Sequence, residues 1–215
     1  MAKVRGVLFD MDGVVTDTEK LYARFWMEAA RFYGCPMTWE QALCLRSRGG
    51  MEGQALMDRW FGPGVSYRAL REKRIAGMDD FIARHGVEAK PGIYQRLDEL
   101  EARGIPAAIT SSSPPERIRD YLTSLGIYHR FAKICSGYQV PRGKPEPDIY
   151  LFGAAQLGLD PGACLALEDS PAGILSAHRA GCLPVLIPDL DEADEDTRPL
   201  LYAQVKTLAD VIELL

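Results

Sequence analysis

Short apolar runs that end on acidic or hydroxyl residues punctuate the chain, and stretches with helical spacing lie between them. Val4 to Phe9 is a short, largely apolar run that stops at Asp10, the pattern of a strand buried on both faces. From Glu19 to about Tyr33 the residues Leu21, Phe25, Ala29 and Phe32 recur at helical spacing, with Gly34 as a stop. Thr38 and Gln41 predict a capping box for the next helix. Helical patterns follow near 52–60 and 66–84, the second closed by Gly86. Residues 16–88 therefore read as helices without a strand.

Beyond that block the two periods alternate. A helix over about 92–103 ends at Gly104, and Ile105–Ile109 reads as a strand. Ser113-Pro-Pro-Glu116 predicts a helix start with a capping box and proline in the first turn. That helix ends near Gly126. Strands are expected at Phe131–Ile134, Cys164–Leu167 and Pro184–Ile187, with helices over Asp148–Leu157 and up to Gly181 between them. Such alternation predicts an α/β fold with a doubly wound parallel sheet. The core then comprises residues 1–15 and 89–215, and the α-helical block at 16–88 is an inserted domain.

Length and charge narrow the possibilities. The 215 residues amount to one domain of about 150 residues plus a remainder, enough for a core without disulfides. A hydrophobic share of 47% and a charged share of 26% exclude a wholly disordered chain. The net charge of −5 argues against a nucleic-acid binder acting through bulk charge. Five scattered cysteines and three scattered histidines give neither zinc-ligand spacing nor a disulfide framework, which suits a reducing cytoplasm. The start of the chain does not read as a signal peptide, and no run approaches the roughly 20 apolar residues of a membrane span. A soluble, cytoplasmic protein is expected.

In parallel sheets ligands bind beyond the carboxyl ends of the strands. The first strand leads into Asp10-Met-Asp12-Gly, the second into Thr110-Ser111-Ser112-Ser113, and the fourth into Glu168-Asp169-Ser170-Pro171. Gly143-Lys144-Pro145 lies in a loop that could reach the same edge. Each piece alone has a plain reading: the acids form turns, the serines cap a helix, and the lysine is solvated. An EF-hand is excluded, since Val14, Val15 and Leu21 stand where ligands and glycine belong. Together the four pieces fit phosphoryl transfer. Asp10, Asp12, Glu168 and Asp169 would repel one another without a cation, and hard oxygen donors favour Mg²⁺. Ser111 and Ser112, backbone N–H groups and a helix N-terminus supply donors for phosphate, and Lys144 adds a positive charge. A carboxylate can then serve as nucleophile.

Phe9-Asp-Met-Asp-Gly-Val-Val-Thr-Asp17, Thr110–Ser113, Gly143-Lys-Pro-Glu-Pro-Asp148 and Leu167-Glu-Asp-Ser-Pro-Ala-Gly173 resemble the four motifs of the haloacid dehalogenase superfamily. The resemblance spans nearly the whole chain and is strongest to its β-phosphoglucomutase-like phosphatases. It implies a Rossmann-like core with a helical cap and Mg²⁺-dependent hydrolysis of small phosphorylated metabolites, sugar or polyol phosphates, by a monomer. It further implies that Asp10 attacks phosphorus, Asp12 is the acid and base, and Ser111 binds phosphate. Lys144 would steady Asp10 and the phosphate. Asp10, the Asp12 carbonyl and Asp169 would hold the metal, supported by Glu168.

Within the superfamily, Asp12 argues against dehalogenation, because halide leaves without a proton. Lys20 lies near the place of a phosphonatase lysine, but the surrounding Thr18-Glu-Lys-Leu-Tyr22 is closer to the phosphatases. A β-phosphoglucomutase is the alternative enzyme, yet its cap histidine aligns with Tyr22, which cannot gain a proton near neutral pH. Substrate reading is expected from the inserted domain, with Arg46, Arg48 and Arg74 as candidate cations; a solvated role for each stays open. Hinges are expected near Thr16–Thr18 and Val87–Gly92. The acidic run Asp189–Asp196 reads as a solvated loop before a C-terminal helix, and Trp26, Trp39 and Trp60 as packing residues.

Overall fold

The computed structural model describes residues 4–45, 50–190 and 193–215. Arg46 and Arg48 lie outside the described residues. Six strands, β1 (Gly6–Phe9), β2 (Ala107–Ser111), β3 (Lys133–Ser136), β4 (Cys164–Glu168), β5 (Leu183–Leu186) and β6 (Ala203–Gln204), form one sheet in the order β3-β2-β1-β4-β5-β6. Every pairing is parallel. β1, β2 and β4 are buried along their whole length, as apolar runs without alternation require. Helices α5 (Ile93–Ala102), α6 (Pro115–Ser124), α7 (Asp148–Leu157) and α8 (Pro171–Arg179) connect the strands. The order places β1 between β2 and β4, so the ends of these three strands meet.

The helical block contains α1 (Glu19–Phe32), α2 (Trp39–Cys44), α3 (Gly50–Phe61) and α4 (Tyr67–His85). The chain divides into two compact units, one of residues 1–17 and 87–215, the other Thr18–Gly86. The helical unit has its own core, in which Trp26 stacks on Tyr67 at 5.3 Å and Met57 and Leu70 are buried. Trp60 is partly buried against that core, whereas Trp39 is exposed. The Thr38–Gln41 capping box is formed.

In the sheet-bearing unit, the two segments that lead to the helical block pair with each other. Asp17 N–H donates to the Glu88 carbonyl at 2.8 Å and Lys90 N–H to the Val15 carbonyl at 2.9 Å. Lys90 Nζ also lies 2.7 Å from Asp189 Oδ1. Within the acidic run expected to be solvated, Asp189 is thus paired and the Asp194 side chain accepts from Thr197 N–H at 2.7 Å, while residues 191 and 192 lie outside the described residues.

Several expectations need correction. Thr110 and Ser111 belong to β2, because strand pairing with β3 continues through Ser136. β3 begins at Lys133 rather than Phe131. The expected C-terminal helix is a 3₁₀ segment, Leu208–Leu214, and the two-residue β6 precedes it. The capping box at Ser113 does not form. Pro114 is the N-cap of α6, and the Ser113 hydroxyl is engaged elsewhere.

The C-terminal segment is held by Arg96 of α5, whose buried guanidinium donates to the carbonyls of Leu208 at 2.9 Å and Ala209 at 2.5 Å. Burial lowers its pKa, and Glu99 at 2.8 Å opposes that effect. Arg96→Met leaves two carbonyls without these donors and is expected to cost about 2–4 kcal/mol of stability. Urea unfolding of the variant reads this directly, and a midpoint equal to that of the parent chain would contradict it.

Candidate active site

β1 ends at Phe9, and the next residue, Asp10, is 8% exposed. Its N–H donates to the Leu167 carbonyl at 2.9 Å, which carries the pairing with β4 one residue further. Glu168 closes β4 and Asp169 follows it, both buried. One carboxylate oxygen from each of Asp10, Glu168 and Asp169 can be chosen so that all three lie within 4.8 Å of one another. Three of the four expected carboxylates, those of Asp10, Glu168 and Asp169, thus meet at the ends of β1 and β4.

Lys144 answers this charge. Its Nζ lies 2.6 Å from Asp10 Oδ1, 2.5 Å from Glu168 Oε1 and 3.1 Å from the Thr110 carbonyl, so its donors are directed at three strand ends. Burial alone would lower the ammonium's pKa, but Asp10 and Glu168 outweigh it and raise the value. Burial raises Asp10 to about 8; Lys144 opposes the rise, and Glu168 and Asp12 add to it. Burial is the larger influence on Asp10, and the neighbouring carboxylates add to it.

The second aspartate is oriented by a residue expected to cap a helix. Ser113 Oγ donates to Asp12 Oδ2 at 3.0 Å, while Ser113 N–H donates to Ser111 Oγ at 3.0 Å. Because Ser111 Oγ accepts there, its own proton stays available for another acceptor. The Ser113 carbonyl accepts from the buried Ser136 hydroxyl at 2.7 Å, which fixes the loop. Ser112 is exposed. Arg74 lies in α4 of the helical unit, buried rather than solvated, with its guanidinium 4.8 Å from the Tyr22 ring centre and 5.3 Å from that of Trp26.

Two residues here escaped sequence reasoning. The buried Tyr150 hydroxyl donates to Glu168 Oε1 at 2.5 Å, and the Lys144 ammonium lies 5.1 Å from the Tyr150 ring centre. Burial, with Glu168 adding, raises the phenol's pKa well above its usual value, so Tyr150 stays a donor. Ser170 caps α8 through Gly173 N–H and also donates to Glu168 Oε2 at 3.1 Å. Tyr150 has only its three-residue distance from Pro147 as a local mark, and no spacing links it to Glu168. Ser170 carried a signal as an N-cap but none for its second bond.

Glycines make the approach of these groups possible. At Gly13 (φ +84°), a Cβ would lie 2.2 Å from Asp169 Oδ2. At Gly173 a Cβ would lie 1.9 Å from the Glu168 carboxyl carbon. Gly173→Ala should therefore destabilise the protein by about 2 kcal/mol or more through overpacking, although alanine favours a helix by about 1 kcal/mol. Thermal unfolding is the check; an unchanged or raised melting temperature would refute the close contact.

Comparison with known proteins agrees with this geometry. A family model for the haloacid dehalogenase-like hydrolases matches residues 4–181. Hexitol phosphatase A of Escherichia coli strain K12 is 34% identical over 200 residues, 89% of each chain. Protein CbbY of Rhodobacter capsulatus is 31% identical over 195 residues, 86% of each. A haloacid dehalogenase family hydrolase of Deinococcus radiodurans, crystallised with bound phosphate and sodium, superposes with a TM-score of 0.80. It is 26% identical, and the match covers 98% of this chain and 94% of that one. The acidic strand edge, the lysine that spans it and the match over most of the length show that the chain belongs to the haloacid dehalogenase-like hydrolases.

Proposed function

We propose that the protein is a Mg²⁺-dependent phosphatase of small phosphorylated metabolites, sugar or polyol phosphates, working through an aspartyl-phosphate on Asp10. The observation that carries the reading is the pairing of a buried carboxylate, bound to Lys144 at 2.6 Å, with a second carboxylate held by Ser113 two residues on. The relatives named as phosphatases support the substrate class.

The donor set fits Mg²⁺. Asp10, Glu168 and Asp169 offer hard oxygen ligands, and these three buried carboxylates share one ammonium, that of Lys144, which touches two of them. These residues, with the Asp12 carbonyl, would hold the ion. When bound, it supplies charge compensation and polarises a phosphate oxygen.

The residues then divide the work. A carboxylate oxygen of Asp10 attacks phosphorus while the bond to the leaving oxygen breaks, and protonated Asp12 delivers its proton to that oxygen. Asp12, now ionised, takes a proton from water; the water oxygen attacks phosphorus and the bond to Asp10 breaks. Free phosphate and both aspartates are restored. Lys144 holds Asp10 in place and favours its ionised form, and Ser111 donates its remaining proton to a phosphate oxygen. Ser112 and the N-terminus of α6 supply further donors.

Substrate reading beyond the phosphate falls to the helical unit as a cap, with Arg74 and Arg48 as its cations. Tyr22 stands where the mutase has its cap histidine and cannot gain a proton near neutral pH, which favours water over a second sugar hydroxyl as the acceptor and sets the mutase second. We place the enzyme in the cytoplasm, in keeping with five free cysteines, and take it to act as a monomer.

Asp10→Asn should abolish Mg²⁺-dependent release of phosphate from p-nitrophenyl phosphate while the circular dichroism spectrum is kept. Undiminished turnover would end the mechanism. With β-glucose 1-phosphate, phosphate release is expected; conversion to glucose 6-phosphate instead would make the enzyme a mutase. The metal adds a pH dependence. A folded-state Asp10 pKa raised from 3.8 to about 8 means that the metal-free fold loses stability as pH rises through that window. Mg²⁺ competes with the proton, so the melting-temperature gain it gives should grow between about pH 6 and pH 8. A gain independent of pH would place the ion elsewhere.

A further inference from the structure

Lys144 is carried by a loop rather than by a strand or helix, between the 3₁₀ turn Gly137–Gln139 and α7. A loop lysine needs support if its ammonium is to keep its place beside Asp10 through turnover. α8 provides that support. Ser176, wholly buried, donates from Oγ to the Glu146 carbonyl at 2.6 Å. Arg179, nearly one turn further along, donates from Nη1 to the Pro145 carbonyl at 3.2 Å and to Glu146 Oε1 at 3.1 Å. On the opposite flank Arg142 forks onto Asp148 at 3.2 and 2.8 Å and pairs with Glu146 at 3.2 Å.

The helix that grips this loop is also the one that follows Glu168-Asp169 in the chain. Ser170 is its N-cap and bonds Glu168, while Ser176 and Arg179 take hold of the two residues after Lys144. One rigid element therefore holds the carboxylate at one end and, further along, the backbone that delivers the cation. We propose that Ser176 and Arg179 are positioning residues that set the placement of Lys144 against Asp10 and Glu168 through the Pro145–Glu146 backbone. The inference rests on the phosphatase reading, in which Lys144 serves phosphoryl transfer.

The cost is expected in catalysis more than in binding or folding, because a small displacement of a catalytic group is expensive. In the full-length, Mg²⁺-loaded protein, Ser176→Ala and Arg179→Ala should each lower kcat for p-nitrophenyl phosphate about three- to tenfold, with KM within about twofold. Arg179 has a 43% exposed side chain, so its variant tests the idea even where Ser176→Ala fails to fold. The decisive measurement is the same pair of substitutions in the Lys144→Ala background. If both residues act through Lys144, each adds less than about twofold there; an equal loss in both backgrounds identifies a general structural role and overturns the proposal. No loss with Lys144 present overturns it as well. If Lys144→Ala itself leaves kcat intact, the role given to Lys144 in the phosphatase reading fails, and the inference with it. Should steady-state turnover of Lys144→Ala fall below detection, single-turnover release of p-nitrophenol at high enzyme concentration completes the same cycle.

Discussion

Three carboxylates share a buried edge of the sheet with one ammonium, and most of the local architecture follows from that imbalance. Burial and the neighbouring carboxylates raise Asp10, while Lys144 at 2.6 Å opposes them. Each buried charge is costly unless it is paired and hydrogen-bonded. The structure meets this requirement with donors from separate elements: the Lys144 loop, Tyr150 of α7 and Ser170 at the head of α8. A parallel sheet suits the task, since adjacent strands end on the same side and deliver their next residues to one place.

That charge cluster also explains the steric economy around it. Side chains at Gly13 and Gly173 would occupy the space of the Asp169 and Glu168 carboxylates. Glycine at these positions serves approach: the backbone of the first motif and the first turn of α8 come as near to the carboxylates as atoms allow. Sequence inspection places both glycines inside the motifs but gives no physical reason for them. The reason lies in contacts across 156 residues for Gly13 and Asp169, beyond the reach of any local pattern.

The fold was largely legible because the central strands are continuous apolar runs and the helices between them end on glycines. What failed locally failed for a physical cause. Thr110 and Ser111 look like the start of a loop, yet they are buried strand residues whose hydroxyls find partners: Thr110 Oγ1 donates to the Phe9 carbonyl at 3.2 Å, and Ser111 Oγ accepts from Ser113. Ser113 has the chemistry of a helix cap, but a carboxylate within reach takes its hydroxyl and Pro114 occupies the cap position. Asp10, Asp12, Lys144, Glu168 and Asp169 could be read at strand ends and in a neighbouring loop. Tyr150 could not, since a tyrosine three residues into an apolar helix has the same local signature as any core residue.

Under the proposed function, Tyr22 and Arg74 bear on the choice between water and a sugar as acceptor. In the proposed reading, transfer to a second hydroxyl requires a group that senses the arriving sugar and can exchange a proton near neutral pH. Tyr22 offers a phenol, which has no site to gain a proton as an imidazole does, and its face carries the guanidinium of Arg74. Arg74 is in turn placed over Trp26, which is packed on Tyr67, so the cation is built into the core of the helical unit. A guanidinium mounted on aromatic faces has little freedom to follow a sugar that must turn over between two phosphorylations. In the proposed reading the same fixed cation suits recognition of a single orientation of an anionic or hydroxylated substrate, followed by hydrolysis.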